Sequence, residues 1–495
     1  MGLDGAVQLR PVTVSLDARA LAAASNGFHA AFPRRSAKRV FHITQGLWLS
    51  ALLAGLCWAL LHHTALTLNV LQLGALMVFA CAIGWRLIAA ARLEPTLSRL
   101  AAPARWPMYT ILCPLYREAG VTPDLIAALS RLDYPRAALD IKLLIEGDDV
   151  DTLAAALTVA GAPHIEVVVI PPARPRTKPK ALNAGLARAR GAFVVVYDAE
   201  DRPHPQQLRA ALAAFEDEGP DLACVQAPLA IDNANASWIA RQFAAEYAIQ
   251  FREMLPFLAR LGLPLPLGGT SNHFRTDALR AIGGWDSYNV TEDADLGYRL
   301  ARARMRAGVI GPPTWEEAPV SMGAWLNQRT RWIKGHMQTW LVLMRNPFRA
   351  AHEMGLKAFA AMQLTLACGL LAAFVHGPLA AIILYAALSP QDVLGPAGFI
   401  LAVFGYCTAI FAALTASAIA NDLGHARAAL TMPLYWPLAS LAAYRALFGL
   451  LFRPHHWEKT AHGLSARQPF DQAAQAKSML ATQANAPARA RASGA

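Results

Sequence analysis

The sequence predicts an α/β domain with a mostly parallel sheet, inserted between α-helical transmembrane segments. Two observations support this prediction. Short β-rich runs alternate with helical segments between residues 106 and 318, and alternating βα units form parallel sheets that are covered on both sides. Uncharged apolar runs of about 20 residues, the length that crosses a bilayer, stand before and after this region.

The composition also favours a membrane protein. Of 495 residues, 55% are hydrophobic and only 16% are charged, which is too apolar for an ordinary soluble protein. The net charge of +11 comes from dispersed basic residues that often flank apolar runs, as in loops that face anionic lipid. This dispersal argues against a nucleic-acid partner. The six cysteines have no CxxC or Cys/His spacing, which predicts free thiols in a reducing compartment instead of a zinc site.

The N-terminal part predicts a cytoplasmic segment followed by a membrane hairpin. Residues 1–42 are polar and contain the basic cluster 33–39, which excludes a cleavable signal peptide of the usual form. Residues 43–61 and 66–85 are uncharged apolar runs joined by a short turn without Lys or Arg. We therefore expect a transmembrane hairpin over 43–85 that returns the chain to the cytoplasm.

The α/β domain is predicted at 106–318, and its strands and helices alternate. Ligands of such sheets bind in the crevice beyond the carboxyl ends of the strands. The predicted strands are 109–113, 141–145, 165–170 and 193–197, and the predicted helices are 123–132, 150–160, 180–189 and 205–215.

Polar clusters follow three of these strands directly. They are residues 114–118 (Pro-Leu-Tyr-Arg-Glu), 146–149 (Glu-Gly-Asp-Asp) and 198–201 (Asp-Ala-Glu-Asp). Carboxylates packed around one crevice repel each other, and a divalent cation with an anionic ligand is the simplest compensation. Any one cluster could instead be a solvated turn, but three in equivalent places indicate a nucleotide-type site with a hard metal.

Further polar segments follow along the chain. Lys178 and Lys180 precede a helix whose N-terminus can also hold phosphate. The run 267–274 begins with two glycines that permit close approach of the backbone to a ligand or, equally, a plain tight turn. In 290–296, Thr291 is the expected N-cap of a helix with acids in its first turn. These acids are either functional or simply favourable at the helix dipole.

Residues 327–335 (Asn-Gln-Arg-Thr-Arg-Trp-Ile-Lys-Gly) separate the polar domain from the apolar C-terminal third. At helical spacing, Gln328, Arg331, Trp332 and Gly335 share one face, which suits an anionic, sugar-bearing ligand. The alternative is an amphipathic helix on the membrane surface, with Arg329, Arg331 and Lys334 toward lipid phosphates.

Taken in order, these motifs resemble those of membrane-embedded family 2 glycosyltransferases, and the chain looks similar to cellulose, chitin and hyaluronan synthases. The resemblance covers about 106–335 and implies a GT-A fold, which is Rossmann-like. It also implies roles for individual residues. Donor contacts would come from Pro114, Tyr116, Glu118, Asp148, Lys178, Lys180, Asp198, Gln328 and Arg331; metal contacts (Mg²⁺ or Mn²⁺) from Asp198, Glu200 and Asp201; acceptor contacts from Trp332 and Glu292; and the catalytic base would be Asp293.

Two departures from the family pattern leave alternatives open. Glu stands where the second Asp of the usual Asp-x-Asp pair is expected, so either Glu200 or Asp201 reaches the metal. The second cluster reads Glu-Gly-Asp-Asp where Asp-Asp-Gly is more usual, so Asp148 competes with Glu146 and Asp149 for the nucleoside.

The expected reaction is inverting transfer of a sugar from a nucleotide sugar, of the UDP-sugar type, to a growing β-linked polysaccharide at a bacterial-type inner membrane. Such transfer needs a neutralised diphosphate and a base for the acceptor hydroxyl. A single transfer to a lipid-linked saccharide is the alternative within the enzyme class, and a nucleotide-sensing channel or transporter is the alternative outside it. The bilayer, and a second copy or an export partner, are the other expected partners.

The C-terminal third predicts further membrane helices within 356–452, after interfacial helices at 319–345. The last apolar run is either a fifth span or an interface helix, and the basic residues at 453–459 favour the interface. Residues 456–460 resemble the family weakly and have no assigned mechanism. The apolar runs are 358–375, with a possible kinked continuation past Pro378 to 388, then 394–420 and 428–452. A loop at 389–393 should face the periplasm. The tail 453–495 is expected to be cytoplasmic and largely disordered.

Overall fold

The computed structural model describes residues 12–92, 96–388, 395–420 and 423–457. A domain built on a large sheet lies beside a group of long apolar helices. The predicted loop at 389–393 lies outside the described residues, as does the predicted tail from residue 458 onward.

The central sheet has eight strands in the order β1-β4-β3-β2-β5-β9-β7-β10. All neighbours pair in parallel except β9, which is antiparallel to β5 and β7. A small second sheet has the order β6-β11-β8. The strands are β1 (Val12–Ser15), β2 (Tyr109–Leu115), β3 (Leu139–Glu146), β4 (Ile165–Ile170), β5 (Phe193–Val196), β6 (Arg202–Pro203), β7 (Leu222–Gln226), β8 (Leu229–Ile231), β9 (Asn272–Arg275), β10 (Arg306–Val309) and β11 (Thr314–Glu316).

Helices cover both faces of the large sheet and form the membrane part. Single π-helical segments occur at Ile249–Met254 and Gln363–Ala367, and a 3₁₀ turn at Arg136–Ala138. The α-helices are α1 (Ala18–Ala31), α2 (Ile43–His62), α3 (Thr64–Ala91), α4 (Thr122–Leu129), α5 (Val150–Val159), α6 (Lys178–Arg188), α7 (Gln207–Glu218), α8 (Trp238–Ala248), α9 (Leu255–Arg260), α10 (Thr276–Ala281), α11 (Glu292–Arg302), α12 (Met322–Leu343), α13 (Pro347–Met354), α14 (Leu356–Met362), α15 (Cys368–Leu388), α16 (Gly395–Ala420), α17 (Leu423–Ala429) and α18 (Met432–Phe452).

The central strands are apolar on both faces because each face is covered. In β2, Ile111 and Cys113 belong to one hydrophobic core, and Leu112 between them belongs to the other. Side chains alternate across a strand, so a strand buried on both sides reads as a continuous apolar run. The predicted α/β class is confirmed, and the four predicted strands lie within a few residues of β2, β3, β4 and β5.

Strand order brings the predicted polar clusters together. Because β3, β2 and β5 are neighbours and parallel, the residues that follow them lie side by side at one edge of the sheet. The three clusters therefore border one crevice, as the strand-end rule predicts.

The N-terminal segment is part of the sheet domain, which the sequence analysis did not foresee. Strand β1 pairs in parallel with β4 at the edge of the large sheet, and the hydroxyl of Ser287 donates to the carbonyl of Ala24 in α1 over 2.8 Å. Four residues with weak alternation are too short a signal to identify a strand from sequence.

Five helical stretches within the described ranges are long and apolar enough to cross a membrane. The first two are α2 and α3, which match the predicted hairpin. The third, Leu356–Ala386, joins α14 and α15 into one continuous stretch that contains Pro378. The predicted runs at 394–420 and 428–452 correspond to α16 and α18.

Helix α18 contacts the sheet domain near both of its ends. Near its start, the hydroxyl of Tyr435 donates to Glu246 of α8 over 2.8 Å. Just beyond its end, a ring nitrogen of His455 lies 2.9 Å from the carbonyl oxygen of Tyr288. Its length and hydropathy match a fifth span, so its expected position at the interface stays a prediction.

Candidate active site

A cavity of about 1840 Å³ lies at the carboxyl ends of the central strands and continues between the long apolar helices. Most of the residues predicted for the site line it, whereas Asp148, Lys180 and Asp201 do not. The predicted residues that do line it are Pro114, Tyr116, Glu118, Lys178, Asp198, Glu200, Glu292, Asp293, Gln328, Arg331 and Trp332.

The loop after β2 is fixed by the start of α5. Asp149, the N-cap of α5, accepts a hydrogen bond from the backbone N–H of Arg117. The backbone N–H of Glu118 donates to the hydroxyl of Thr152 over 2.9 Å. These bonds hold 116–118 against the cavity, so Asp149 has a structural role and is not free for a nucleoside.

Asp148 borders a smaller recess next to the main cavity. This recess of about 540 Å³ shares Tyr116 and Arg117 with the main cavity. The carboxylate of Asp148 pairs with Arg176 over 2.6 Å, and both side chains are about half exposed. Asp148 is therefore beside Tyr116 and open to solvent, while Glu146 forms a buried pair with Lys180.

The structure corrects the expectation that Lys180 contacts the donor. Its ammonium is fully buried and lies 2.7 Å from Glu146 and 3.0 Å from the carbonyl oxygen of Ala173. A buried ammonium that is held by such partners stabilises the turn before α6 but cannot reach a ligand in the cavity. The sequence could not distinguish it from Lys178, because both lysines lie in the same Lys-Pro-Lys run.

Lys178 is the lysine that faces the carboxylates. Its ammonium lies 2.5 Å from Asp198 and donates to the carbonyl of Gly269 over 2.6 Å. Burial lowers the pKa of Lys178, but the carboxylates of Asp198 and Glu292 raise it more, so the net pKa is above its usual value. Lys178 is therefore a fixed positive charge in the cavity.

The Asp-Ala-Glu-Asp turn after β5 separates its carboxylates into two roles. Asp198 and Glu200 line the cavity, while Asp201 is only 1% exposed. Asp201 accepts hydrogen bonds from the backbone N–H of Asp198 over 2.7 Å and from the hydroxyl of Thr270. Burial raises the pKa of Asp201 well above its usual value, and the neighbouring charge of Asp198 raises it further. Asp201 thus holds the turn, and the cavity-facing pair is Asp198 and Glu200.

A further carboxylate comes from β11, and the sequence analysis missed it. Glu316 lines the cavity. Burial raises its pKa well above the usual value, and Asp201, Glu200 and Asp198 add to the effect. Glu316 lies in a short strand without a motif, more than a hundred residues after Asp198, so only the fold reveals that the two are neighbours.

These carboxylates fit a hard divalent cation in part. Within the described ranges no group of three or more His, Cys, Asp or Glu side chains is arranged to hold a metal alone. Asp198 and Glu200 offer only oxygen atoms, which suit Mg²⁺ or Mn²⁺ and not zinc. Mg²⁺ is commonly bound by one or two carboxylates together with substrate phosphates, so a protein site of this size is sufficient.

Two acids at the start of α11 have different exposures. Asp293 lines the cavity, and its side chain accepts from the backbone N–H of Ala294 over 2.7 Å. A Cβ atom at Gly269 would lie 3.1 Å from Asp293 Oδ2, so this glycine leaves space beside the carboxylate. The neighbouring Glu292 is almost fully buried. Asp295, a third acid of this turn, is buried in an ion pair with Arg299 over 2.7 Å and is not available as a base.

Burial and neighbouring charges change the pKa values of Glu292 and Asp293. Burial and the charge of Asp293 raise the pKa of Glu292 to about 8. Burial also raises the pKa of Asp293, although the hydrogen bond from Ala294 and the charges of Lys178 and Arg331 lower it. A carboxylate with a raised pKa accepts a proton more readily at neutral pH. With a pKa of about 8, Glu292 is mostly protonated near neutral pH.

The expected N-cap bond of α11 is absent. Thr291 occupies the N-cap position, but its side chain makes no capping hydrogen bond. Instead it packs against α12, where a Cβ atom at Gly335 would lie 2.4 Å from the Thr291 hydroxyl oxygen. Position 335 is therefore a glycine because α11 approaches it closely, and not because a ligand occupies the space beside it. This contact places Asp293 next to α12.

The face of α12 that the sequence predicts does line the cavity. Gln328, Arg331 and Trp332 all border it. Gln328 Oε1 and Arg331 Nε are buried, and neither has a hydrogen-bond partner among the described residues. One side of the Trp332 indole packs against Tyr247, with ring centroids 6.2 Å apart, and Arg329 lies 4.9 Å from its centroid.

The alternative in which Arg329, Arg331 and Lys334 of α12 point toward lipid phosphates is wrong. Lys334 is fully buried and donates to the carbonyl of His456 over 2.7 Å. Arg329 forms an ion pair with Glu246 over 2.5 Å, and Arg331 borders the cavity. None of these three side chains is directed at lipid phosphates.

The segment 453–457 after α18 also reaches the cavity. Trp457 lines it, and the guanidinium of Arg331 lies 4.6 Å from the centroid of the Trp457 ring. Gln338 of α12 donates to the carbonyl of Pro454 over 3.0 Å. The weak resemblance at 456–460 was the only sequence signal for this contact, and residues 458–460 lie outside the described part.

Comparisons with known proteins agree with this geometry. The family described as glycosyltransferase like family 2 matches residues 107–335. The chain is 26% identical over 278 residues to a beta-monoglucosyldiacylglycerol synthase of Synechocystis sp., covering 54% of this chain and 57% of that protein. It is 25% identical over 335 residues to a probable glucomannan 4-beta-mannosyltransferase 7 of Oryza sativa subsp. japonica, covering 64% of this chain and 55% of that protein. The chain thus spans somewhat more than half the length of these two relatives.

A solved structure supports the fold. The mannosyltransferase PcManGT from Pyrobaculum calidifontis, in complex with GDP-Man and Mn²⁺, superposes with a TM-score of 0.50 at 20% sequence identity. The match covers 77% of this chain and 99% of that chain. The fold class is GT-A, as the motifs implied.

Proposed function

We propose, from the premise that residues 107–335 form a glycosyltransferase family 2 domain, that this protein transfers a sugar with inversion to a lipid-linked acceptor at a membrane. A family 2 glycosyltransferase uses a nucleotide-sugar donor, and the match of residues 107–335 to this family supports the same donor class here. The acceptor, the stereochemistry, the metal and the residue roles are the proposal.

A single observation carries the proposal. One continuous cavity has Asp293 and the Asp198–Glu200 pair at one end and residues of α3, α15 and α16 at the other. A soluble acceptor would need only the polar end. A lipid-linked acceptor needs both ends at once, because its reactive hydroxyl must reach Asp293 while its acyl or prenyl chains stay in an apolar environment.

The donor diphosphate would lie between two fixed positive charges. Lys178 and Arg331 both line the polar end, and the charges of both act on Asp293. Arg331 can form forked hydrogen bonds with phosphate oxygens, and its buried, unpartnered Nε supports this role. Tyr116 borders both the cavity and the recess of Asp148, which supports a nucleoside position there.

Asp198 and Glu200 would hold Mg²⁺ or Mn²⁺. When bound, such an ion neutralises the charge that develops on the leaving diphosphate. The residues of the chain have a second task here, since the ammonium of Lys178 beside Asp198 offsets the repulsion among the carboxylates of this end.

Asp293 would be the general base. The acceptor hydroxyl gives its proton to the Asp293 carboxylate as its oxygen bonds to the anomeric carbon, and the bond from that carbon to the diphosphate oxygen breaks. Attack in line with the departing group inverts the anomeric configuration, so an α-linked donor gives a β-linked product. The exposed side of Trp332 would support the acceptor sugar, because an indole offers a flat apolar face.

Extension of a β-linked polysaccharide is the second candidate. Tyr406 and Trp436 stack with ring centroids 5.9 Å apart, and His376 lies 5.1 Å from Trp436. All three line the membrane end of the cavity, and aromatic rings of this kind can support a passing sugar chain. The plant relative named as a glucomannan mannosyltransferase agrees with this candidate.

A position in a bacterial-type inner membrane, with the domain in the cytoplasm, completes the proposal. The apolar helices α2, α3, α14–α15 and α16 support the membrane association, and the basic residues near their ends support the cytoplasmic side.

The test uses the full chain purified in a neutral detergent. A panel of UDP- and GDP-sugars is supplied with Mn²⁺ and either a lipid-linked saccharide or a soluble oligosaccharide, and nucleotide release and product mass are measured. We expect one added sugar on the lipid-linked acceptor, with a β linkage by NMR. Asp293→Asn should bind the same nucleotide but release little of it.

Two results would contradict the proposal in different ways. A long, lipid-free product that becomes protected from added glycan hydrolase in sealed vesicles would establish the polysaccharide candidate. A product with retained anomeric configuration would contradict the assignment of Asp293 as base, whichever acceptor is used.

A further inference from the structure

The membrane end of the cavity contains an arginine without a protein partner. Arg86 belongs to α3 and lines the cavity. Among the described residues, none forms a hydrogen bond or an ion pair with its guanidinium. The nearest acid by electrostatic interaction is Glu246, but Glu246 is already bound by Arg329 over 2.5 Å and by Tyr435 over 2.8 Å.

From its place along α3, we expect Arg86 at the depth where lipid phosphates are found. It follows the first residue of α3 by about 22 residues, or roughly 33 Å along a helix, and a hydrocarbon core is about 30 Å thick. Helix α3 then ends at Ala91, next to the sheet domain. A cation at this level is close to the headgroup region and remote from the middle of the bilayer.

Two other polar side chains without partners line the same part of the cavity. Thr408 of α16 is 4% exposed, and its hydroxyl has no partner in the described ranges. A Cβ atom at Gly405 would lie 3.0 Å from Ile83, so α16 touches α3 about one turn before Thr408 and Arg86 in their respective helices. His376 of α15 has an unpartnered Nδ1 and lies within electrostatic range of Arg86.

The remaining charges of this region do not compensate Arg86. Glu253 lines the cavity and accepts from the Thr415 hydroxyl over 2.6 Å, but it is not among the groups that act electrostatically on Arg86. The other lining residues of α3, α15 and α16 are uncharged. The Arg86 side chain is exposed to this space, so an anionic group that enters the cavity can reach its guanidinium beside apolar walls.

We propose that Arg86, with Thr408 and His376, binds the phosphate of the acceptor lipid, so that the acceptor is a phosphate-bearing lipid and not a neutral diacylglycerol. This inference rests on the proposed function, because it specifies the acceptor of the same site. Arg86 binds the phosphate as a forked donor, Thr408 adds a hydroxyl donor, and the lipid chains extend between α3, α15 and α16.

The test compares acceptors that differ in charge and variants that differ in position. The probes are dioleoylglycerol, dioleoylphosphatidylglycerol and a polyprenyl diphosphate that carries one sugar, each in a neutral ether detergent. The variants are Arg86→Gln, Arg86→Lys and the control Arg92→Gln. Arg92 follows α3 directly, is exposed and does not line the cavity, so its substitution removes the same charge outside the site.

We expect a phosphate-bearing probe to be the better acceptor. Arg86→Gln should raise the KM for that acceptor about 10- to 100-fold, Arg86→Lys should raise it less, and Arg92→Gln should leave it unchanged. The KM for the donor, measured through nucleotide release, should be the same in all variants.

Other outcomes overturn the inference. Equal use of dioleoylglycerol without an effect of Arg86→Gln would exclude a phosphate site, and equal effects of the Arg86 and Arg92 variants would indicate only surface attraction of anionic lipid. If no lipid accepts sugar but a soluble oligosaccharide does, the proposed lipid acceptor itself is wrong. Should Arg86→Gln fail to bind nucleotide, Arg86→Lys and the acceptor panel on the unaltered protein decide the question.

Discussion

The two ends of the cavity differ in how their charges are held. At the polar end, charged groups are numerous and most contact each other: Lys178 with Asp198, and Glu292 beside Asp293. At the membrane end, no residue of the described part of the chain pairs with Arg86, and most side chains around it are apolar. A charge that the protein compensates itself adds little net attraction for a ligand, whereas an uncompensated charge favours a ligand of opposite sign. We therefore expect the polar end to carry the chemistry and the membrane end to recognise the acceptor.

We expect the largest effect from a variant that removes the proposed base at the polar end. Asp293→Asn keeps the shape of the side chain but removes the proton acceptor. We expect turnover to fall by about 10² to 10⁴, while the affinity for the donor nucleotide, measured by titration calorimetry, stays near that of the unaltered protein.

Glu292→Gln is the matched control for that variant. Because burial and Asp293 raise the pKa of Glu292 to about 8, the glutamate is mostly protonated at pH 7, and glutamine imitates that form. Turnover should stay within a few-fold of normal. Since the pKa of Asp293 is raised, turnover should increase with pH as Asp293 loses its proton, and Glu292→Gln should not move this limb. If the rise in turnover moved to lower pH in Glu292→Gln, Glu292 would be charged in the unaltered protein. Glu292 would then be the candidate base in place of Asp293.

Substitutions of Glu200 and Asp201 are expected to have smaller effects, and they distinguish the two carboxylates of the Asp-Ala-Glu-Asp turn. Glu200→Gln should weaken Mn²⁺ binding and lower turnover about 10- to 100-fold at a fixed Mn²⁺ concentration. Excess chelator should abolish turnover of the unaltered protein. Mn²⁺ affinity is measured by electron paramagnetic resonance in the presence of the nucleotide.

Asp201→Asn should act differently, because Asp201 holds the turn through Asp198 and Thr270. We expect a lower thermal midpoint, with Mn²⁺ affinity per folded molecule unchanged. The opposite pattern, with weaker Mn²⁺ binding in Asp201→Asn and normal binding in Glu200→Gln, would reassign the metal ligand.

A change in packing tests how the polar end is assembled. Gly335→Ala places a Cβ atom 2.4 Å from the Thr291 hydroxyl oxygen, which α11 and α12 can accept only by moving apart. Overpacking of this kind costs about 1 to 3 kcal/mol, measured as a lower thermal midpoint, and turnover should fall because Asp293 moves with α11. Gly323→Ala in the same helix has no atom within 4 Å of the added Cβ and should leave both quantities unchanged.

The smallest expected effect concerns the segment after α18. Trp457→Ala removes the ring over Arg331, a contact worth about 0.5 to 2 kcal/mol, and frees the guanidinium to move. We expect the KM for the donor to rise a few-fold with little change in turnover at saturation. Trp457→Phe keeps an aromatic face and should restore most of the loss, whereas equal losses in both variants would indicate that the indole only fills space.

The sequence predicted the polar end better than the membrane end, and the reason is physical. A parallel sheet places ligands at strand ends, so β2, β3 and β5 with their polar clusters were sufficient to locate the crevice. The sequence did not predict the direction of each side chain. Lys178 faces the cavity and Lys180 is buried, although they are two residues apart. Glu316 comes near Asp198 only through the pairing of β11 with β8 and β6, which the sequence did not predict.

At the membrane end the sequence carried little information, because helix positions in a bilayer depend on packing. An apolar run predicts a span but not its neighbours. Arg86 lay just beyond the predicted boundary of the second span at residue 85, and helix α3 continues to Ala91. It therefore resembled an ordinary flanking charge until α15 and α16 were seen to form a cavity beside it.

The contacts at both ends of α18 determine how many times the chain can cross the bilayer. Strand β1 precedes the α2–α3 hairpin and pairs with β4 beyond it, so we expect this hairpin to cross an even number of times. From α13, which packs beside α11 of the domain, the chain leaves through α14–α15 and returns through α16 to α17, where Gln242 of the domain donates to the carbonyl of Ala428. Helix α18 then begins beside Glu246 and ends beside Tyr288, both in the domain. A single crossing by α18 would separate these two contacts by the thickness of a membrane. The parity of the crossings therefore favours the expected position of α18 at the membrane interface, beside the helix that carries Gln328, Arg331 and Trp332.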